Sequence, residues 1–101
     1  MNYHGLEIRQ SEIAAFCRQS GIRRLALFGS IVHDDFGPES DIDVLVEFEP
    51  TVKVGLFRLM NLQSRLSELL GRSVDLNTPG FLSDRFRDKV LREAVDQYVA
   101  A

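Results

Sequence analysis

The apolar positions of the chain change their period several times, and those changes divide it into elements. Ile13, Phe16 and Cys17 recur at steps of three and one, consistent with one helix face. A first helix is predicted to open near Ser11 as N-cap and close at Gly21 as C-cap, with Leu6 and Ile8 stapling its start. Ile22-Arg23-Arg24 then leads into an unbroken apolar run, Leu25-Ala26-Leu27-Phe28, that stops at Gly29-Ser30. A second run, Ile42 to Phe48, follows a connection closed by Gly37-Pro38, and it must stop before Pro50, which has no amide to give to a ladder. Leu59, Leu62, Leu66 and Leu69 repeat at helical steps, so about Leu56 to Leu70 is a core-facing helix, with Arg58, Asn61, Arg65 and Glu68 outward and Gly71 at its end. Arg72 to Asn77 reads as a short third strand, and Thr78-Pro79-Gly80 as a turn. Leu82 to about Tyr98 reads as a closing helix with Phe86, Val90, Leu91, Ala94 and Val95 as its apolar stripe. The α-β-β-α-β-α order, uninterrupted by repeat or linker, predicts an α+β fold in which a small mixed β-sheet is flanked by helices, in a single domain spanning 1–101.

The second strand opens on two acids, and parity places them. Successive side chains of a strand point to opposite faces, so Asp41, Asp43, Leu45 and Glu47 share one face while Ile42, Val44, Val46 and Phe48 share the other. Two carboxylates about 6–7 Å apart on one face repel unless a cation lies between them, and a hard divalent ion such as Mg²⁺, carrying a substrate phosphate, suits such a pair. By itself an Asp-x-Asp is more often a polar turn followed by a solvated strand residue. The ending of the preceding strand shifts that balance. Gly29 lets the backbone approach a bulky anion, and the Ser30 hydroxyl together with the amides of Ser30 and Ile31 can hold phosphate oxygens. On the third strand Val74 and Leu76 point one way and Asp75 with Asn77 the other, which sets Asp75 beside Asp41 and Asp43 if Val74 and Leu76 face the core.

Composition narrows the partners. The net charge is −3, and the Lys/Arg clusters that grip phosphate backbones are lacking, which argues against an extended nucleic-acid surface. Met1 to Gly5 has neither a basic start nor an apolar run, and no stretch reaches membrane-spanning length, so a cytoplasmic protein with no membrane partner is expected. Cys17 is the sole cysteine, which rules out an internal disulfide and reads as a small buried hydrophobe. Arg23 and Arg24 read as solvated or ion-paired, and His33, Asp34 and Asp35 as a surface turn. Arg85, Arg87, Lys89 and Arg92 give the closing helix a basic side, solvated or near phosphate or partner.

Taken together, Gly29-Ser30, ten residues, and Asp41-x-Asp43 resemble the signature of the minimal nucleotidyltransferases of the DNA polymerase β superfamily, the MNT or MntA-like antitoxins of HEPN/MNT systems. Ser40 to Val46 is the most recognisable run, and Leu70 to Leu76 matches where that family carries its third metal-coordinating acid. The resemblance covers most of the chain. It implies the minimal nucleotidyltransferase fold and Mg²⁺-dependent transfer of AMP from ATP to a hydroxyl, with Tyr expected, of a partner HEPN toxin. In that scheme Gly29 and Ser30 hold the β- and γ-phosphates, Asp41 and Asp43 bridge two Mg²⁺ ions, and Asp75 completes the metal site nearer the nucleophile and takes its proton. The residues then account for nucleotide and metals alone, so the acceptor surface is expected from the partner in a hetero-oligomer. One departure stands out: many members follow Gly-Ser with a small residue and an Arg, whereas this chain has Ile31-Val32-His33-Asp34-Asp35. That departure keeps an alternative open, a catalytically silent antitoxin that inhibits a HEPN ribonuclease by complex formation.

Overall fold

The computed structural model describes residues 2–100; Met1 and Ala101, the outermost residues of the expected domain, lie outside it. The chain opens on a short hairpin that the apolar pattern does not announce, β1 (Asn2–Tyr3) and β2 (Leu6–Glu7), turned by His4 and Gly5 at φ 52° and 80°. There follow α1 (Gln10–Ser20), β3 (Ile22–Phe28), a 3₁₀ turn at Gly29–Val32, β4 (Ile42–Phe48), α2 (Leu56–Leu70) and β5 (Val74–Asn77). A second 3₁₀ turn at Pro79–Phe81, α3 (Asp84–Glu93) and β6 (Val95–Val99) complete it.

The last four strands to form a ladder make one mixed sheet in the order β5-β4-β3-β6. β3 runs antiparallel to both β4 and β6, whereas β5 runs parallel to β4. A parallel neighbour needs a crossover, and α2 provides it. One face of the sheet presents Ile42, Val44, Val46, Val74 and Leu76 to Ile13 and Phe16 of α1 and to Leu59, Leu62, Leu66 and Leu70 of α2. The other face presents Phe28 and Leu45 to Leu82 and to Val90 of α3. The parity of β4 and β5 is therefore as the sequence predicts, and the α+β class with a small mixed sheet flanked by helices is observed.

Two element ends and one buried face differ. α1 starts at Gln10, with Arg9 as N-cap residue and no side-chain cap, so Ser11 lies inside the first turn; Gly21 closes it at φ 73°, as expected. In α2 the buried set ends on Leu70, and Leu69 is 36% exposed. The largest correction is at the C-terminus, where the expected closing helix stops at Glu93 and the chain returns as β6 along the free edge of β3. The edge supplies partners that a longer helix would leave open: Ala100 N donates to Arg23 O at 2.8 Å, and Arg24 Nε reaches Asp96 at 2.6 Å. The five-residue strand is bulged against β3, which erases its alternation, while Tyr98 packs against the main core. Consequently the expected stripe is mostly outside, with Val90 buried but Phe86, Leu91 and Val95 exposed.

Arg24 also pairs with Glu47 at 2.9 Å, and Arg23 reaches Glu47 at 3.2 Å, so both arginines are ion-pair partners. Cys17 is buried, and burial pushes its thiol up to about 12. Among the described residues no helix is long and apolar enough to cross a membrane.

Candidate active site

Strand register builds the site. Antiparallel pairing sets Phe28 opposite Asp43, and parallel pairing sets Asp43 beside Asp75, so one residue of β4 has both strand ends as neighbours. Directly paired residues project from the same face of a sheet. Their neighbours Ile42 and Val74 turn into the core, which pins the two acids to the opposite side. Asp41 lies just ahead of β4, whose parity gives it that same side. Asp41 and Asp75 are exposed and Asp43 is half-buried. Burial first, and then the charges of Asp75 and Asp41, hold the Asp43 carboxyl above its ordinary pKa. The three acids predicted from sequence thus lie toward one end of the sheet, and burial and the charges of the other two act on the central one.

Gly29 closes the site from the other strand. It sits at φ 73°, where L side chains are strained, and a Cβ added there would run into the Asp43 carboxylate, whose Cγ would lie 3.0 Å away. Two demands thus coincide at this position, a left-handed turn and bare contact with Asp43. Ser30 follows in the 3₁₀ turn, which Ile31 anchors by being fully buried and by accepting a 3.0 Å bond at its carbonyl from His4 Nε2. Gly29 and Ser30 line a cleft of about 180 Å³ whose other wall is α3, with His33, Phe86, Lys89 and Glu93. His33 is at the surface, as expected, with Nε2 3.4 Å from a Glu93 carboxylate oxygen. A larger groove of about 490 Å³ between α1 and α2 contains none of the three acids.

The entry to β4 is tied down by groups whose roles the sequence does not announce. Gly37 N donates to Ser40 Oγ at 3.0 Å, and Ser40 N donates back to Gly37 O at 3.1 Å. The Arg72 guanidinium donates to the same carbonyl and lies 4.5 Å from the centre of the Phe36 ring, while Ile42 N donates to Ser73 O at 2.9 Å. The start of β5 therefore holds the loop that presents Asp41. No local pattern marks an arginine after Gly71 for a partner 35 positions back.

The donor set suits a hard cation: three carboxylates on one side of a sheet, with the central one pressed by negative neighbours. Among the described residues no three such side chains are already gathered at ligating distance. Asp41 and Asp75 are exposed near the strand ends.

The sequence model of the nucleotidyltransferase domain matches residues 11–97. A candidate protein adenylyltransferase of Methanocaldococcus jannaschii is 38% identical over 76 residues, covering 75% of this chain and 80% of its own. Protein adenylyltransferase MntA of Thermococcus cleftensis is 37% identical over 75 residues, 74% of each chain. Among solved structures, a candidate minimal nucleotidyltransferase matches at 34% identity with a TM-score of 0.72, over 86% of this chain and 87% of its own. A toxin-antitoxin with AMP-PNP matches at TM-score 0.75 and 20% identity, over 92% of this chain and 75% of that one. A tri-AMPylated Shewanella oneidensis HEPN toxin in complex with MNT antitoxin matches at 0.67 and 19%, over 90% and 70%. At those two identities the likeness is one of fold.

Proposed function

The chain belongs to the nucleotidyltransferase domain family and has the minimal nucleotidyltransferase fold; from that premise we propose that it is a cytoplasmic antitoxin that transfers AMP from ATP, with Mg²⁺, to a hydroxyl of a HEPN toxin. The observation that carries this reading is the register that sets Asp43 between Phe28 and Asp75, with Gly29 bare against its carboxylate. The names of two relatives, both protein adenylyltransferases, support the transfer. Structures of the same fold with AMP-PNP, and with an AMPylated HEPN toxin, support the nucleotide and the partner.

In this mechanism the bare Cα of Gly29 lets the triphosphate lie against the end of β3, and the Ser30 hydroxyl with the turn amides holds the β- and γ-phosphates. Asp41, Asp43 and Asp75 hold Mg²⁺, with two ions expected. Bound there, Mg²⁺ would supply positive charge to the in-line displacement. The acceptor oxygen bonds to the α-phosphorus as the bond from that phosphorus to the bridging oxygen breaks, releasing pyrophosphate. Asp75 accepts the acceptor's proton. Its strand is an edge of the sheet, open to an incoming side chain of a partner. The acceptor is proposed to be a Tyr hydroxyl, and docking of the partner orients it, which replaces a chance encounter by a fixed geometry.

A second reading has one observation in its favour. The turn after Gly29-Ser30 lacks the arginine expected from the resemblance, and its His33 lies 3.4 Å from a Glu93 carboxylate oxygen, which suits an antitoxin whose site is silent and which inhibits by binding. Incubating the protein and its partner with α-labelled or γ-labelled ATP separates the two. Label on the partner from the α-position alone is expected. Transfer of the γ-label would identify a kinase, and inhibition of the partner with neither label transferred would establish the binding antitoxin.

A further inference from the structure

The cleft beside Gly29 and Ser30 has a wall that belongs to none of the residues in that mechanism. α3 turns Phe86, Lys89, Val90 and Glu93 toward it, the i, i+3, i+4 and i+7 positions of one helix face. The basic residues of this helix are engaged differently. Arg87 is held to the helix entrance, donating from Nε to Pro79 O at 2.7 Å and from Nη2 to Leu82 O at 2.9 Å, with Asp84 3.1 Å from its Nη1. Arg85 and Arg92 do not line the cleft. Lys89 does, and among the described residues it makes no ion pair.

Among the residues that line the cleft, Lys89 is the one permanent cation. Asp35 and Glu93 also line it, and the cation that answers Glu93 is His33, which is charged only when protonated. Without Lys89 the two carboxylates would stand alone, and Lys89 offsets one of them. With it, an ammonium faces a wall made of a glycine, a serine hydroxyl and the backbone of a tight turn, the surroundings that suit phosphate oxygens. Gly29 is common to this cleft and to the acid side of the site, since its other neighbour is Asp43. A nucleotide whose α-phosphate lies at the acids therefore has a contiguous path for its outer phosphates past Gly29 toward Lys89.

We propose that Lys89 binds the β- and γ-phosphates in this cleft and so selects nucleoside triphosphates over monophosphates. The proposal rests on the reading of Gly29 and Ser30 as the phosphate side of a nucleotidyltransferase site. It makes α3 a working part of that site.

The test is calorimetric titration of the full chain with ATP, ADP and AMP, each with Mg²⁺, comparing wild type, Lys89→Met and Lys89→Arg, with melting followed in parallel. Lys89→Met is expected to weaken ATP binding by about tenfold or more and AMP binding by less than about twofold, because one charge-assisted contact is lost from the outer phosphates alone. Lys89→Arg should keep most of the ATP affinity, and melting should be unchanged because the side chain is exposed. Should Lys89→Met fail to fold, Lys89→Gln makes the same comparison. Unchanged ATP affinity in a folded variant, or equal loss for ATP and AMP, would overturn the role of Lys89 while leaving the site standing. A wild-type chain that binds no nucleotide with Mg²⁺ would overturn the site reading itself, and the Lys89 proposal with it.

Discussion

Asp43 lies half-buried between Phe28 and Asp75 in the ladder, and no neighbour named by the register relieves its charge. Its carboxyl is held above the ordinary range by burial and by the charges of Asp75 and Asp41, so the folded chain takes up a proton there more readily than the unfolded chain. By linkage, stability then falls as pH rises from the unfolded carboxylate range through the raised value, and is level above it. Asp43→Asn is accordingly expected to melt higher than wild type at neutral pH without Mg²⁺, to lose that slope in a pH series of melting curves, and to lose AMP transfer by about a hundredfold or more. Full transfer by the variant would exclude Asp43 from the site. Gly29 is the steric counterpart of that carboxylate. Gly29→Ala should destabilise by about 1–3 kcal/mol through left-handed backbone strain, with a further cost from the clash with Asp43. Urea unfolding of the single and double variants tests this: in an Asp43→Ala background the cost should shrink toward the backbone strain alone, and an unchanged cost would show that the clash is relieved elsewhere.

At the scale of elements, α2 and α3 are held in different ways. α2 buries Leu59, Leu62, Leu66 and Leu70 against the sheet, whereas α3 buries Val90 and leaves Phe86 and Leu91 exposed. Leu66→Ala, at a position with 0% exposure, should lower global stability by about 2–5 kcal/mol in urea unfolding. α3 depends more on its entrance, where Ser83 Oγ accepts from Phe86 N at 3.4 Å and Arg87 clasps Pro79 and Leu82. Ser83→Ala is expected to cost about 1 kcal/mol, as faster amide exchange over residues 84–89 with little change in global unfolding; slowed or unaltered exchange would show that the cap contributes nothing. A helix opened at that end would also carry Lys89 away from Ser30, so the same variant links α3 to nucleotide affinity.

For the whole molecule, a ligand that binds only the folded chain stabilises it by mass action, about 2.7 kcal/mol at a hundredfold excess over Kd. Mg²⁺ with ATP should therefore raise the melting temperature and EDTA should reverse the rise, because a triphosphate without metal meets three unscreened carboxylates; an equal rise with ATP and EDTA would remove the metal from the site. Several features of this molecule were legible before any tertiary contact. The two faces of β4 and β5, the span of α2 and the left-handed glycine at Gly21 follow from periods of two and 3.6 and from turn chemistry, whereas the grouping of Gly29, Ser30, Asp41, Asp43 and Asp75 rested on resemblance to a family signature. The periods and turns are properties of neighbouring residues, and a short window of sequence contains them. The N-terminal hairpin, the turn of Val95–Val99 from helix into edge strand, the clasp of Arg72 on Gly37 and the approach of Lys89 to the Gly29-Ser30 cleft were decided only by the fold. Each depends on which distant segment lies alongside: β6 is a strand because β3 has a free edge, and Lys89 faces the cleft because α3 packs across Phe28 and Leu45. Pairing at such separations is set by the competition of all segments for one sheet and one core, and no local pattern records its outcome.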